Sequence, residues 1–329
     1  MKFMKLDNQQ NTNLTSLVFS VQHFCIHDGP GIRTTIFFKG CPLRCTWCQN
    51  PESWSRKPQL AFKQHLCIGC RTCVDKCPEQ ALSDPGYRNA DKCVLCFTCV
   101  EECPSTAVVR FGDLQSVGSV IDELEPEFPF YLNSNGGVTF SGGEPTLYSE
   151  FLVNLTEDLQ NKGIHISMET CGYFSLNEKA IDNSKTSLKK LLSIINLVIF
   201  DLKLFDNEEH KQYCGTDNRQ IKENFTTLAK QKSFQNKPGL WPRLPVIPGI
   251  TNSLHNLINW SDFLLENQIP FLTLVPYHKM GESKRSWLNT EPGPDLTPLS
   301  DEMLKAAQDL LESRGITCYA PGEEDWSLI

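Results

Sequence analysis

Three cysteines, Cys41, Cys45 and Cys48, stand in the spacing C-x3-C-x2-C directly after an apolar run at 34–39. Three thiolates on one short loop hold three irons of a cubane [4Fe–4S] cluster. The fourth iron is then left without a protein ligand. An open position of that kind is what a metal needs to bind and activate a substrate. The competing reading is a zinc site short of one local ligand, with His23 or His27 to complete it.

Eight more cysteines fall within 57–110, in two matching runs. Cys67, Cys70, Cys73 and Cys77 precede Pro78, and Cys93, Cys96, Cys99 and Cys103 precede Pro104. Each run reads C-x2-C-x2-C-x3-C-P, the two-cluster ferredoxin pattern in which the fourth cysteine serves the other cluster. The expected sets are Cys67, Cys70, Cys73 and Cys103 on one [4Fe–4S] cluster, and Cys93, Cys96, Cys99 and Cys77 on the second. A pair of zinc knuckles fits the spacing poorly. The segment has few long apolar runs, so bound metal rather than a hydrophobic core would stabilise it. It serves either as an electron relay towards the first cluster or as structure alone. The other four of the 15 cysteines, Cys25, Cys171, Cys214 and Cys318, match no ligand pattern and read as ordinary thiols.

Several other residues suit a small charged ligand. At 138–145 a strand enters a turn through Gly142, Gly143 and Glu144. The glycines let backbone come close, and an anionic side chain beside exposed carbonyls suits an ammonium. An ordinary tight turn is the bland alternative. Asp201 and Lys203 alternate onto one face of a strand end, where an isolated pair would read as a surface ion pair. Arg243, on a further strand, would pair with a carboxylate if it points inward. His278 ends a sixth strand candidate. Asn50 follows the cysteine loop, where a turn residue is the plain reading.

These residues need a frame. Strand candidates lie at 34–39, 138–141, 164–169, 197–202, 240–245 and 271–275. Amphipathic helical stretches separate them at 147–159, 178–195, 218–230, 254–266 and 301–313. The alternation predicts an α/β fold with a parallel sheet, a partial (β/α)6 TIM-like barrel, carrying an inserted ferredoxin-like domain. Chemistry then belongs at the C-terminal ends of the strands. The expected organisation is a polar tail at 1–16, the first part of the barrel at 17–56, the insert at 57–110 and the rest of the barrel at 111–329. The 329 residues suffice for that. The tail lacks the apolar core of a signal peptide, and no run is long enough to span a membrane. Crowded cysteines then point to a reducing cytoplasm. A net charge of −8 without a basic block argues against nucleic acid as partner.

The cysteine loop resembles the signature of the radical S-adenosylmethionine (SAM) superfamily. The preceding stretch His27-Asp28-Gly29-Pro30-Gly31-Ile32-Arg33 is similar to one branch, the glycyl-radical-enzyme activating enzymes. The resemblance covers the chain from about Val18 onward. It implies three [4Fe–4S] clusters with SAM, and a SAM site formed by Trp47, Asn50, Gly142, Gly143, Glu144, Asp201, Lys203, Arg243 and His278. It also implies a monovalent cation held by Glu169, Thr170, Ile199 and Asp201. The activity implied is reductive cleavage of SAM to a 5′-deoxyadenosyl radical, which takes a Cα hydrogen from a glycine of a partner glycyl radical enzyme. That glycine loop would enter the barrel mouth near Asp28 and Arg33. Flavodoxin or ferredoxin would supply the electron. Two other readings stay open: a radical SAM enzyme acting on a small molecule, and a polyferredoxin-type electron carrier.

Overall fold

The computed structural model describes residues 14–176, 183–231 and 238–329. Most of the polar tail and the start of the helix expected at 178–195 lie outside the described residues. In chain order the strands and helices begin with β1 (Thr15–Cys25), β2 (Arg33–Phe38), β3 (Gln59–Phe62) and α1 (Thr72–Asp75). Then come β4 (Leu82–Asp84), β5 (Tyr87–Arg88), α2 (Thr98–Glu101), β6 (Val108–Phe111) and β7 (Asp113–Ser116). They continue with α3 (Val117–Leu124), α4 (Phe128–Ser134), β8 (Gly137–Gly142), α5 (Ser149–Gln160) and β9 (His165–Thr170). Next are α6 (Asn183–Ile194), β10 (Leu197–Asp201), α7 (Asn207–Cys214), α8 (Arg219–Gln231) and β11 (Gly239–Val246). Last are α9 (Leu254–Glu266), β12 (Phe271–Pro276), α10 (Glu282–Trp287), α11 (Asp301–Ser313) and β13 (Thr317–Tyr319).

Nine strands form one open sheet in the order β13-β12-β11-β10-β9-β8-β2-β1-β7. The six expected strands are β2 and β8 to β12, all parallel, and β13 adds a seventh. On the other side β1 runs antiparallel to both β2 and β7. Parallel neighbours need helical crossovers, and α5, α6, α8, α9 and α11 supply them.

Side-chain alternation decides which face those helices cover. Ile36, Phe38, Val138, Phe140, Ile166, Met168, Val198 and Phe200 pack with Phe151, Leu155, Phe225 and Leu264 in one core. Each such fully buried side chain contributes about 1.5–3 kcal/mol. The intervening positions Thr35, Thr139, Ser141, Ser167, Glu169, Asp201 and Arg243 stand on the opposite face. That face therefore gathers the polar groups. No helix among the described residues is long and apolar enough to cross a membrane.

Between β2 and β7 the chain makes a separate small unit. It is closed by antiparallel pairing of β3 with β6 and has its own core of Cys73, Leu82, Cys99 and Val108. The sequence repeat is also a backbone repeat. Arg71 and Phe97, each just after the second cysteine of its run, both take left-handed φ, 62° and 63°, before the short helices α1 and α2.

At the N-terminal edge of the sheet Arg33 is fully buried. It donates to Thr139 Oγ1 at 2.8 Å and to the carbonyls of Pro30 and Val138 at 2.7 and 2.9 Å. Its Nη2 lies 3.3 Å from His165 Nδ1. Burial, and then the Arg33 charge, pull His165 down to about 3, so it stays neutral in the fold. The unfolded imidazole takes its proton near pH 6.5, so acid favours the unfolded chain. Stability from this site is complete above about pH 6.5 and is lost as pH falls towards 3. From about pH 7 to about pH 5 the loss is about 2 kcal/mol. Anaerobic denaturant titrations should show that loss in the wild type and its absence in H165Q. Parallel pH profiles for the two proteins would contradict this account.

Candidate functional site

The cysteine loop leaves the C-terminal end of β2 and is fixed by backbone and side-chain bonds to five other segments. Gly40 N–H donates to Ser53 O at 2.5 Å, and Gly143 and Glu144 N–H donate to Phe38 O and Gly40 O, both at 2.8 Å. Arg44 N–H donates to Cys214 O at 2.8 Å, and Thr46 N–H to Tyr213 O at 2.9 Å. From α10 the buried Arg285 reaches the carbonyls of Thr46, at 2.7 Å, and Cys45. Gln49 Nε2 donates to His278 O at 2.8 Å.

The loop borders a cleft of about 220 Å³ at the strand ends. Cys41, Cys45 and Cys48 all line it. Burial, with the Cys45 charge adding, pushes Cys48 up to about 12. A thiol held that high ionises only against a cation such as bound iron. This donor set fits an iron–sulfur cubane, which takes one thiolate per iron. Among the described residues no three His, Cys, Asp or Glu side chains are grouped for a single metal ion.

Two further cysteines adjoin the loop. Cys171, just beyond β9, lines the cleft and is hydrogen-bonded to Cys41, which lowers the Cys41 thiol. Cys214, at the end of α7, is hydrogen-bonded to Cys45 and helps to raise it well above its ordinary value. Neither belongs to a sequence pattern. Their only local signal is position, one just past a strand end and one before Gly215.

The cleft brings together most of the residues expected around SAM: Trp47, Asn50, Gly142, Gly143, Asp201, Lys203 and His278. Lys203 Nζ donates to Asp201 Oδ2 at 2.9 Å. Burial alone would lower Lys203, yet Asp201 and the neighbouring thiols hold it raised. His278 is lowered by burial and by the Lys284 charge, which favours the neutral ring. Lys284 also donates to Asn50 Oδ1 at 2.8 Å.

Three expected residues do not line the cleft: Glu144, Arg243 and Ile199. Glu144 is fully buried beneath it. Its carboxylate accepts from Thr146 Oγ1 at 2.7 Å, from Thr170 Oγ1 at 2.9 Å and from Cys171 N–H at 2.9 Å. It therefore ties the turn to the end of β9. The glycines beside it serve chain packing too. A Cβ on Gly143 would strike Gly40 O, and Gly142 has φ +108° against Phe38.

Arg243 crosses the polar face. It donates to Glu169 Oε1 at 2.6 Å and to the carbonyl of His27. Glu324 and Asp28 lie 3.6 and 4.0 Å from its guanidinium. Glu169 Oε2 accepts from Ser141 Oγ at 2.5 Å. Burial, then the Asp28 charge, raise Glu169 to about 7 against the pull of Arg243. Within the expected cation set, Glu169 thus has a guanidinium partner, Thr170 bonds Glu144 and Asp201 bonds Lys203. Asp28 itself accepts from Thr35 Oγ1 at 2.6 Å and, through its carbonyl, from Thr139 Oγ1 at 2.7 Å. The loop that carries it leans over the polar face.

In the small unit, Cys73 is raised by burial and then by the charges of Cys103, Cys67 and Cys70. Burial pushes Cys99 up to about 11, with Cys96, Cys93, Cys73 and Cys77 adding. Cys103 therefore stands near the first run and Cys77 near the second. Thr72 and Thr98 each donate to the preceding cysteine, at 3.4 Å to Cys70 and 3.5 Å to Cys96.

A family described as a 4Fe-4S single cluster domain matches residues 27–222. The indoleacetate decarboxylase activating enzyme of Tractidigestivibacter scatoligenes is 34% identical over 94% of this chain and 98% of its own length. The 4-hydroxyphenylacetate decarboxylase activating enzyme of Clostridioides difficile is 35% identical over 94% of this chain and 97% of its own. The choline trimethylamine-lyase activating enzyme of Oleidesulfovibrio alaskensis is 34% identical over 84% and 88%. The chain is a glycyl-radical-enzyme activating enzyme. As a radical SAM activating enzyme it uses SAM and an iron–sulfur cluster.

Cys171 puts a fourth thiol at the cleft of this activating enzyme, so the vacant-iron reading has a direct test. In C171A the cleft cluster should assemble with wild-type iron content, and SAM should still change its electron paramagnetic resonance (EPR) signal. In C45A both should be lost. A cluster lost from C171A would make Cys171 a ligand.

Proposed function

We propose that this activating enzyme loads a glycyl radical onto a partner enzyme through a cluster on Cys41, Cys45 and Cys48. The observation that supports this most is the cleft itself. It is lined by three thiols together with two glycines, an Asp–Lys pair and a histidine whose ring favours the neutral form. When bound, the cluster and SAM supply one electron and a sulfonium whose reductive cleavage yields the hydrogen-abstracting species.

The chain's own residues do the positioning. The carbonyls of Gly142 and Gly143 accept the SAM ammonium. Lys203, charged and steered by Asp201, meets its carboxylate. Neutral His278 with Asn50 and Trp47 borders the rest of the ligand. Leu43, Ile247 and Tyr277 form the apolar wall and exclude water from the reacting atoms. On the polar face Asp28, backed by Arg243, offers an acceptor to the backbone of an entering glycine loop.

The insert holds two further [4Fe–4S] clusters, one on Cys67, Cys70, Cys73 and Cys103 and one on Cys93, Cys96, Cys99 and Cys77. The unit is thus ferredoxin-like. It passes electrons from flavodoxin or ferredoxin to the cleft.

Two measurements test this. Anaerobic incubation with SAM, reductant and a candidate glycyl radical enzyme should give the glycyl EPR doublet. C45A should give none, while keeping the iron and the spectra of the insert. Wild-type protein that cleaves SAM yet never radicalises any such partner would refute the assignment.

A further inference from the structure

The insert meets the rest of the chain through β6 against β1, through Gln59 bonded to Lys39, and, on the side of the first cysteine run, at α10. His65, two residues before Cys67, lies over the ring of Trp287 with centroids 6.1 Å apart. Lys63 Nζ stands 5.1 Å from the same ring. Two residues earlier on α10, Arg285 donates to the carbonyls of Thr46 and Cys45 in the cluster loop. Its guanidinium also lies 4.9 Å from the ring of Trp54, which lines the cleft. The packed line therefore runs from Cys67 through His65, Trp287, α10 and Arg285 to Cys45. The second run is differently placed, with Phe97 covered by Arg110 of β6 at 4.5 Å.

We infer that the half of the insert built on Cys67, Cys70 and Cys73 is the proximal electron donor to the cleft, and that Trp287 is the contact that positions it. This rests on the three-cluster reading above. Electron transfer weakens steeply with separation and with gaps in packing. The half joined to the cysteine loop by continuous contact is therefore the favoured donor. One electron leaves the cluster on that half and one arrives at the cluster on Cys41, Cys45 and Cys48. A low-potential one-electron protein reductant then refills the insert. No bond is made or broken in this step.

The test is rapid freeze-quench EPR on the loaded full-length protein, following reduction of the cleft cluster. With a protein reductant such as flavodoxin, W287A should be slowed severalfold, and W287F should return most of the rate. With a photoreduced small flavin, which reaches the open cleft directly, W287A should match the wild type. The midpoint potentials of all clusters should be unchanged in both variants. Slowing of W287A with both reductants, or a shift in the potential of the cleft cluster, would make Trp287 a structural prop and overturn the inference. A double variant, C73S C99S, separates this failure from failure of the relay reading. If it is slow with flavodoxin while W287A is fast, the relay stands and the Trp287 contact is wrong. If it is as fast as the wild type, the relay reading falls and the inference falls with it.

Discussion

Everything at the cleft depends on one short loop whose backbone is bonded on all sides. Three thiols can face one point only if the chain between them is not free to turn. The loop meets that demand with bonds to Ser53, to the glycine turn after β8, to the end of α7 and to Arg285 of α10. Those partners come from segments far apart in sequence. The loop's shape is therefore a property of the whole fold, and it requires each of those segments in place. The glycine turn shows the cost of such closeness. Gly143 cannot carry a Cβ because Gly40 O occupies that space.

A second constraint acts on the polar face of the sheet. Charges there are largely out of water, so each must find a partner or give up its charge. Arg243 answers for Glu169 and stands near Asp28 and Glu324. Glu144 is met by two hydroxyls and two backbone N–H groups. His165 is met by Arg33 and stays neutral. These pairings span β2, β8, β9, β11 and the C-terminal segment. They hold the polar face in one arrangement while the apolar face holds the helices.

Much of this was legible in the sequence, for physical reasons that differ from place to place. The six central strands could be read because each is buried and flanked by helices with a clear 3.6-residue period. β13 escaped notice because three residues carry no period, and its place follows only from pairing with β12. β7 is an edge strand and β1 lies beside it, both with mixed burial, so alternation is blurred there. The loop cysteines and the two cysteine runs were legible as patterns because their spacing is local. Cys171 and Cys214 were not, because their nearness to Cys41 and Cys45 is created by the fold. The same holds for Glu144 and Arg243. Their charge suggested ligand contact, but tertiary packing turned one under the turn and the other across the polar face.

The insert shows how far local chemistry alone can carry a structure. Its apolar core amounts to little more than Cys73, Leu82, Cys99 and Val108, too few side chains to order fifty residues. Its regularity comes instead from the repeated placement of its cysteines. Arg71 and Phe97 both adopt a backbone conformation that costs roughly 1 kcal/mol or more for a side chain with a Cβ. A cost paid twice at equivalent points implies a shared demand, namely turning the second and third cysteines of each run to one side. The antiparallel pairing of β3 with β6 closes this unit at its base, where β6 adjoins β1 of the sheet. The cysteine-rich unit and the sheet are also joined through α10, whose Arg285 holds the cysteine loop.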